Sequence, residues 1–348
     1  TLLPIWKPAS DELWRRRVRS GGFRRFIETC RPGFQWSWHH EILVDALDRW
    51  VRGEWPRLQI YLPPRHSKTE LNRLVVPYVL GEYGNVRNPV GVIYATHTGA
   101  LARKTNNEMQ DICTSDVYRK LYNDRMLPGS DGRRDEKHVC NRDEFEYLVR
   151  CGAVNRVGGY FCCRGVGGAL PGYDGGFMIG DDLIADRGEA ESPVERQNVW
   201  DWYSSAFKSR DTNVRESDGT FTGNRILLTN TRWHPDDVAG RILDQMKKTG
   251  NKEGWKVIIF PLVMDDGARN DKRIRQYMPE CYEDPRENGE ELWTWRYDKE
   301  KCELIKATTI PYDWDSVYQQ RPQSSESRKI DPAWFHRVSV EEFREAVA

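Results

Sequence analysis

Across its 348 residues the chain has no apolar run approaching the roughly 18 residues that a bilayer crossing requires. Its first residues, Thr1-Leu2-Leu3-Pro4-Ile5-Trp6-Lys7-Pro8, lack the apolar core of a secretory signal. No membrane partner is expected. The eight cysteines form no CxxC pair and no Cys/His spacing of a zinc site, and Cys162-Cys163 lies inside an apolar run. Reduced, buried thiols in a cytosolic compartment are the expectation. Net charge is also missing: 53 Lys and Arg balance 53 Asp and Glu. That excludes a protein coating nucleic acid through its overall charge, but leaves room for one that grips it through a local patch. Internal repeats and low-complexity tracts are absent. With 38% hydrophobic and 30% charged residues, the chain reads as an ordinary globular protein, one large domain or a core with a small appendage.

What is present is an alternation. Residues 10–55 carry helical spacing, as in Leu43-Val44-Ala46-Leu47-Trp50-Val51, ended by Gly53 and Pro56. Short apolar runs follow, separated by helical stretches: Leu58-Gln59-Ile60-Tyr61-Leu62, Gly91-Val92-Ile93-Tyr94-Ala95, Gly176-Phe177-Met178-Ile179-Gly180, Arg225-Ile226-Leu227-Leu228-Thr229 and Trp255-Lys256-Val257-Ile258-Ile259-Phe260. Buried strands alternating with helices predict an α/β fold, a mainly parallel sheet flanked by helices. After Pro261 the texture turns charged and Trp-containing. The expected organisation is a helical segment 1–57, a core 58–260, a small subdomain 261–325 and a linker beginning at 326–348.

Leu62-Pro63-Pro64-Arg65-His66-Ser67-Lys68-Thr69 stands between an expected strand and an expected helix, the context of a phosphate-binding loop. Backbone N–H groups at a helix N-terminus cradle phosphates. Lys68 would reach the β- and γ-phosphates of ATP, and the Thr69 hydroxyl would bind Mg2+. The two glycines of G-x-x-x-x-G-K-[ST] are missing, replaced by Leu62 and Ser67. Pro63 and Pro64 offer no N–H, so the donors must come from residues 65–69. The octapeptide alone equally fits a proline turn before a basic helix start. A partner motif is supplied by Phe177-Met178-Ile179-Gly180-Asp181-Asp182. Two carboxylates at the C-terminal end of a buried strand fit a Walker B site, with Asp181 in the magnesium shell and Asp182 orienting the attacking water. The bland alternative is an Asp-rich turn capping the next helix.

A third segment, Ile226-Leu227-Leu228-Thr229-Asn230-Thr231-Arg232-Trp233-His234-Pro235-Asp236-Asp237-Val238-Ala239-Gly240-Arg241, resembles the coupling-motif strand and following TRWH run of tailed-bacteriophage terminase large subunits. The Pro-Pro-Arg-His phosphate loop and the Asp181-Asp182 strand end look like the same family. So do Tyr94-Ala95-Thr96 with Leu101-Ala102 and Asn106, Gly165-Val166-Gly167-Gly168, Leu292-Trp293 and Tyr318-Gln319-Gln320-Arg321-Pro322. The resemblance covers roughly residues 33–325 and rests on the order and spacing of these pieces together.

It implies a P-loop NTPase of ASCE type with a small lid subdomain, hydrolysing ATP to drive double-stranded DNA into a procapsid. Thr229, Asn230 and Thr231 would sense the γ-phosphate. Pro64, Arg65, His66, Ser67, Lys68 and Thr69 would line the nucleotide, with Arg65 near the γ-phosphate. A neighbouring subunit's arginine finger is expected at Arg164, with Arg156 and Arg210 as alternatives. Phe34-Gln35-Trp36-Ser37-Trp38-His39-His40 could offer adenine an aromatic platform, and Arg103 and Lys104 could touch DNA. The implied partners are the portal protein, the terminase small subunit and further copies in a ring, the isolated chain being a monomer. The setting is the host cytoplasm, and the protein is absent from the mature virion. The family's nuclease carboxylates are not found here, so DNA cleavage is not expected of this chain. Two other readings stay open: a helicase-like nucleic-acid-dependent ATPase, which needs a second RecA-like domain, and a non-catalytic nucleotide-binding assembly module.

Overall fold

The computed structural model describes residues 6–130, 137–170, 172, 175–211, 214–215, 221–222, 224–279, 281–282 and 284–323. The expected linker at 326–348 lies outside them. All five apolar runs form strands. In chain order the strands are β1 (Arg57–Tyr61), β2 (Val90–Thr96), β3 (Arg125–Met126), β4 (Glu144–Cys151), β5 (Val154–Gly165) and β6 (Phe177–Asp181). A separate pair follows, β7 (Val214–Arg215) with β8 (Phe221–Thr222), then β9 (Arg225–Asn230) and β10 (Lys256–Ile259). The main sheet runs β10-β1-β9-β6-β2-β5-β4-β3. Its first six strands are parallel, and β4 and β3 form an antiparallel margin.

Every residue of β1 and β6 is buried, as strands covered on both faces must be. Successive side chains still part to opposite faces. Leu58, Ile60, Tyr94, Ile179 and Leu227 enter one core, while Tyr61, Ile93, Met178, Ile226 and Leu228 enter the other. The first core is closed by α1 (Trp6–Ser20), α2 (Gly22–Cys30), α3 (Trp38–Arg52), α4 (Lys68–Tyr83), α5 (Gly99–Thr114) and α6 (Asp116–Leu121). The N-terminal helices thus share the sheet's core, with Phe23, Phe26, Leu43 and Trp50 almost wholly buried in it. The second core is closed by α7 (Arg187–Glu191), α8 (Pro193–Trp202) and α9 (Val238–Thr249).

Strands β4 and β5 were not anticipated. They pair through a tight turn at Gly152, which adopts φ 66°, with Cys151 opposite Val154. The alternation in Glu144-Phe145-Glu146-Tyr147 is the period-two signal that could have marked β4. Residues 261–323 gather a small core of their own, Leu262, Trp293, Tyr297, Cys302 and Trp314, around the helix Lys299–Thr308. They rejoin the main body through Tyr282 and Leu292, which belong to the first core.

Candidate active site

At the C-terminal end of β1 the chain turns through residues 62–67 and enters α4 at Lys68. Arg65 and Ser67 take left-handed conformations, φ 63° and 68°. Ser67 therefore adopts the conformation that glycine would supply in the usual motif, at a cost of about 1–2 kcal/mol. Leu62, in the first glycine's place, is fully buried. The Lys68 ammonium folds back into the loop. It donates to the Leu62 carbonyl at 2.7 Å, the Pro63 carbonyl at 3.3 Å and Thr231 Oγ1 at 2.8 Å. Burial holds its pKa below the usual lysine value, while Asp182 and Asp181 pull it upward.

The acidic pair stands two strands away. Strand β9 lies between β1 and β6, with Asn230 opposite Tyr61 and Thr229 opposite Asp181. This inserted strand brings Thr229, Asn230 and Thr231 directly between the phosphate loop and the carboxylates. Asp181 is buried and accepts from Tyr94 Oη at 2.7 Å and Thr229 Oγ1 at 2.8 Å, and Thr69 also hydrogen-bonds it. Its carboxyl is pushed above the usual range, first by burial and then by the neighbouring charge of Asp182. Asp182 sits at φ 44° and accepts the Thr231 N–H at 2.6 Å. Pro64, Arg65, Ser67, Lys68, Thr69, Glu70, Asp182, Thr231 and Arg296 line a pocket of about 350 Å³. Asp181 and Asn230 are buried and do not line it, and His66 is buried with its Nδ1 2.9 Å from the Pro64 carbonyl.

The donor set suits magnesium. Among the described residues no group of three or more His, Cys, Asp or Glu could hold a metal ion, whereas magnesium is commonly bound by one or two carboxylates together with substrate phosphates. A hydroxyl and a buried carboxylate whose charged form is penalised, Thr69 and Asp181, fit that pattern.

A scan against protein-family models finds no match, and no curated protein sequence matches. Among solved structures, the HK97 bacteriophage large terminase aligns with a TM-score of 0.50 at 10% identity over 88% of this chain. The fold is that of the aligned part of a phage large terminase. The chain spans 55% of the HK97 protein. Two weaker likenesses are the ATPase domain of the Thermus phage P74-26 large terminase and the large terminase of another thermophilic bacteriophage in complex with ATP-γ-S. The first has a TM-score of 0.49 and 11% identity, over 84% of this chain and 96% of that one. The second has a TM-score of 0.35 and 12% identity, over 69% and 49%.

Within this terminase-like fold the remaining sequence candidates fall elsewhere. Arg164 is the penultimate residue of β5, three strands beyond β9 in the sheet order. Its guanidinium donates to the carbonyls of Asp143 at 2.6 Å and Ala169 at 3.2 Å and pairs with Glu144 at 3.0 Å. Arg156 is exposed on β5, and Arg210 contacts the Leu170 carbonyl at 3.4 Å. Arg103 pairs loosely with Asp143 at 3.6 Å, and Lys104 is exposed on α5. The aromatic segment 34–40 packs inward: Trp38 meets Phe260, and Arg24 covers Trp36. None of it lines the phosphate pocket.

The sequence reading missed Asn72 and Arg296. Asn72 Nδ2 donates to Thr229 Oγ1 at 2.5 Å, so it supports the hydroxyl that holds Asp181. Its signal was a lone amide four residues after Lys68, one turn along the same face of a helix otherwise filled by Leu71, Leu74, Val75 and Val76. Arg296 was hidden in a charged stretch.

Beside the loop, His39, His40 and His66 cluster against Trp293, with centroid distances to its ring of 5.5, 4.8 and 5.9 Å. Burial lowers the pKa of His40 to about 3 and of His66 to about 4. Both imidazoles are thus neutral in the fold, against an unfolded value of about 6.5. The unfolded chain binds more protons below that value, so stability is complete above pH ~6.5 and is lost as pH falls toward ~4 and ~3. We expect each imidazole to withdraw about 2 kcal/mol between pH 7.5 and pH 5. Urea melts across that window check this, with His66→Asn removing about half of the pH dependence that the two imidazoles supply. A stability unchanged over the window would refute it.

Proposed function

We propose that this chain is an ATPase whose turnover drives double-stranded DNA into a viral procapsid, the motor part of a terminase large subunit. One observation carries the reading. A lysine at a helix start, a hydroxyl beside it, a buried carboxylate and a second carboxylate held by a Thr231 N–H converge at the C-terminal ends of three adjacent parallel strands, where open α/β sheets bind ligands. On this reading Lys68 exchanges its carbonyl partners for the β- and γ-phosphates. Thr69 and Asp181 hold magnesium, which when bound neutralises developing phosphate charge. Asp182 aligns water against the γ-phosphorus, and Thr231, joined to both Lys68 and Asp182, registers the phosphate's departure. Residues 261–323 act as the lid. The Arg232 N–H reaches Gln320 Oε1 at 3.3 Å, a direct link from the residue after Thr231 into that lid.

A ring of copies completes the site in this proposal. Arg164 lies on β5, two strands beyond β6, and its guanidinium is engaged by Glu144 and the Asp143 carbonyl rather than lining the phosphate pocket. To act as the finger it must serve a neighbour, after releasing Glu144 and the Asp143 carbonyl. A cleft of about 710 Å³ reaching Asp182 and Thr231 past His97, Arg187 and Tyr318 is the entry we assign to the neighbour's arginine. The portal protein templates the ring, the small subunit is a further partner, and the free chain is a monomer in the host cytoplasm. Phosphate release from MgATP, measured with and without double-stranded DNA, should rise in specific activity as protein concentration increases a hundredfold. Mixing Arg164→Ala with Lys68→Ala should restore part of it. No phosphate release at any concentration, with or without DNA, refutes the ATPase reading. Concentration-independent release with a dead mixture refutes only the shared site.

A further inference from the structure

Three cations from three separate pieces of chain face the phosphate pocket: Arg65 from the loop, Lys68 from α4 and Arg296 from residues 261–323. Arg65 and Arg296 are both exposed, and neither pairs with a carboxylate among the described residues. Glu70, the other acid at the rim besides Asp182, is paired with Arg31 at 3.2 Å. In a chain with no net charge, two unpaired guanidiniums beside a buried ammonium mark an anion site.

The mounting of Arg296 is rigid where its tip is free. Its backbone N–H bonds the Trp293 carbonyl at 3.0 Å, and its guanidinium rests 4.7 Å from the Trp293 ring centroid. Trp293 is almost fully buried against His39 and His40. On the other side Tyr297 stacks on His66, 4.7 Å apart and inclined by 28°. His66 belongs to the phosphate loop itself. The arginine thus rests on Trp293 and precedes Tyr297, two aromatic residues that both touch His66 of the loop, and it lines the same pocket as Asp182 and Thr231.

We propose that Arg296 is a phosphate-binding residue supplied within the same chain, recognising the γ-phosphate of bound nucleoside triphosphate and so tying residues 261–323 to the triphosphate state. The proposal rests on the nucleotide-site reading above. A guanidinium forms two parallel hydrogen bonds to phosphate oxygens that a lysine cannot reproduce. Loss of the γ-phosphate would free the segment carrying it.

Equilibrium binding of fluorescent ATP and ADP analogues with magnesium tests this on the parent chain, Arg296→Ala and Arg296→Lys, each with a thermal melt. Arg296→Ala should weaken ATP by about 10- to 100-fold, as for hydrogen bonds to charged groups. ADP should shift less than about threefold, and the melt should not move, because the side chain is exposed. Arg296→Lys should lie between parent and alanine for ATP. Unchanged ATP affinity in Arg296→Ala overturns the proposal, as does an equal loss for ATP and ADP or a loss accompanied by a lowered melting temperature. If the parent chain binds neither nucleotide, the site reading itself has failed. If the parent binds and Arg296→Ala binds equally, only this inference has.

Discussion

Asp182→Asn should bind MgATP within about threefold of the parent and lose turnover by about 10²–10⁴-fold, the usual weight of a positioned acid–base group. Asparagine is the informative replacement for three reasons. It tolerates the left-handed φ of 44° at this position better than most residues. Its Oδ1 can still accept the Thr231 N–H, now at 2.6 Å from the carboxylate, so the strand end keeps its shape. It also removes the charge that raises the pKa of Asp181, so the residue expected to hold magnesium ionises more easily. What disappears is a carboxylate able to polarise water. Separate measurements of nucleotide affinity and single-turnover hydrolysis resolve the two effects. A variant hydrolysing ATP at the parental rate would assign the water to another group.

Lys68→Ala should abolish measurable ATP binding, a loss of at least about 100-fold from removing a charge-assisted contact to phosphate. The ammonium is the buried cation of the pocket, already tethered at 2.7 Å to the Leu62 carbonyl and at 2.8 Å to Thr231 Oγ1. Without it those acceptors lose their donor, and the pocket loses the buried cation that Asp182 and Asp181 help to keep charged. Arg65 and Arg296, both exposed at the rim, are too well solvated to substitute for it. Retention of ATP affinity within about tenfold by calorimetry would move the phosphates away from this loop.

Part of this site was legible without a structure because it is local. The strand ending at Tyr61, the turn through Pro63-Pro64 and the helix opening at Lys68-Thr69 occupy adjacent residues, and their apolar and polar textures differ sharply. Asp181-Asp182 was legible for the same reason, as charge directly after a buried run. The β4–β5 hairpin was less so, since its strands mix charged and small residues at the sheet's margin.

Composition and periodicity determined that this chain is an α/β protein, that five runs are buried strands, that a lysine–hydroxyl pair opens a helix after one of them and that a carboxylate pair closes another. They could not say which strands are neighbours. Thr229 and Asn230 owe their place to pairing between segments far apart in the chain, with Asn230 opposite Tyr61 and Thr229 opposite Asp181. The commitment of Arg164 to Glu144, the support of Thr229 by Asn72 and the arrival of Arg296 at the phosphate pocket are likewise products of packing. Local sequence selects strand or helix because the chain's dihedral preferences and burial periodicity act over a few residues. Sheet order and the orientation of a side chain toward a distant partner depend on contacts that exist only once the layers have closed.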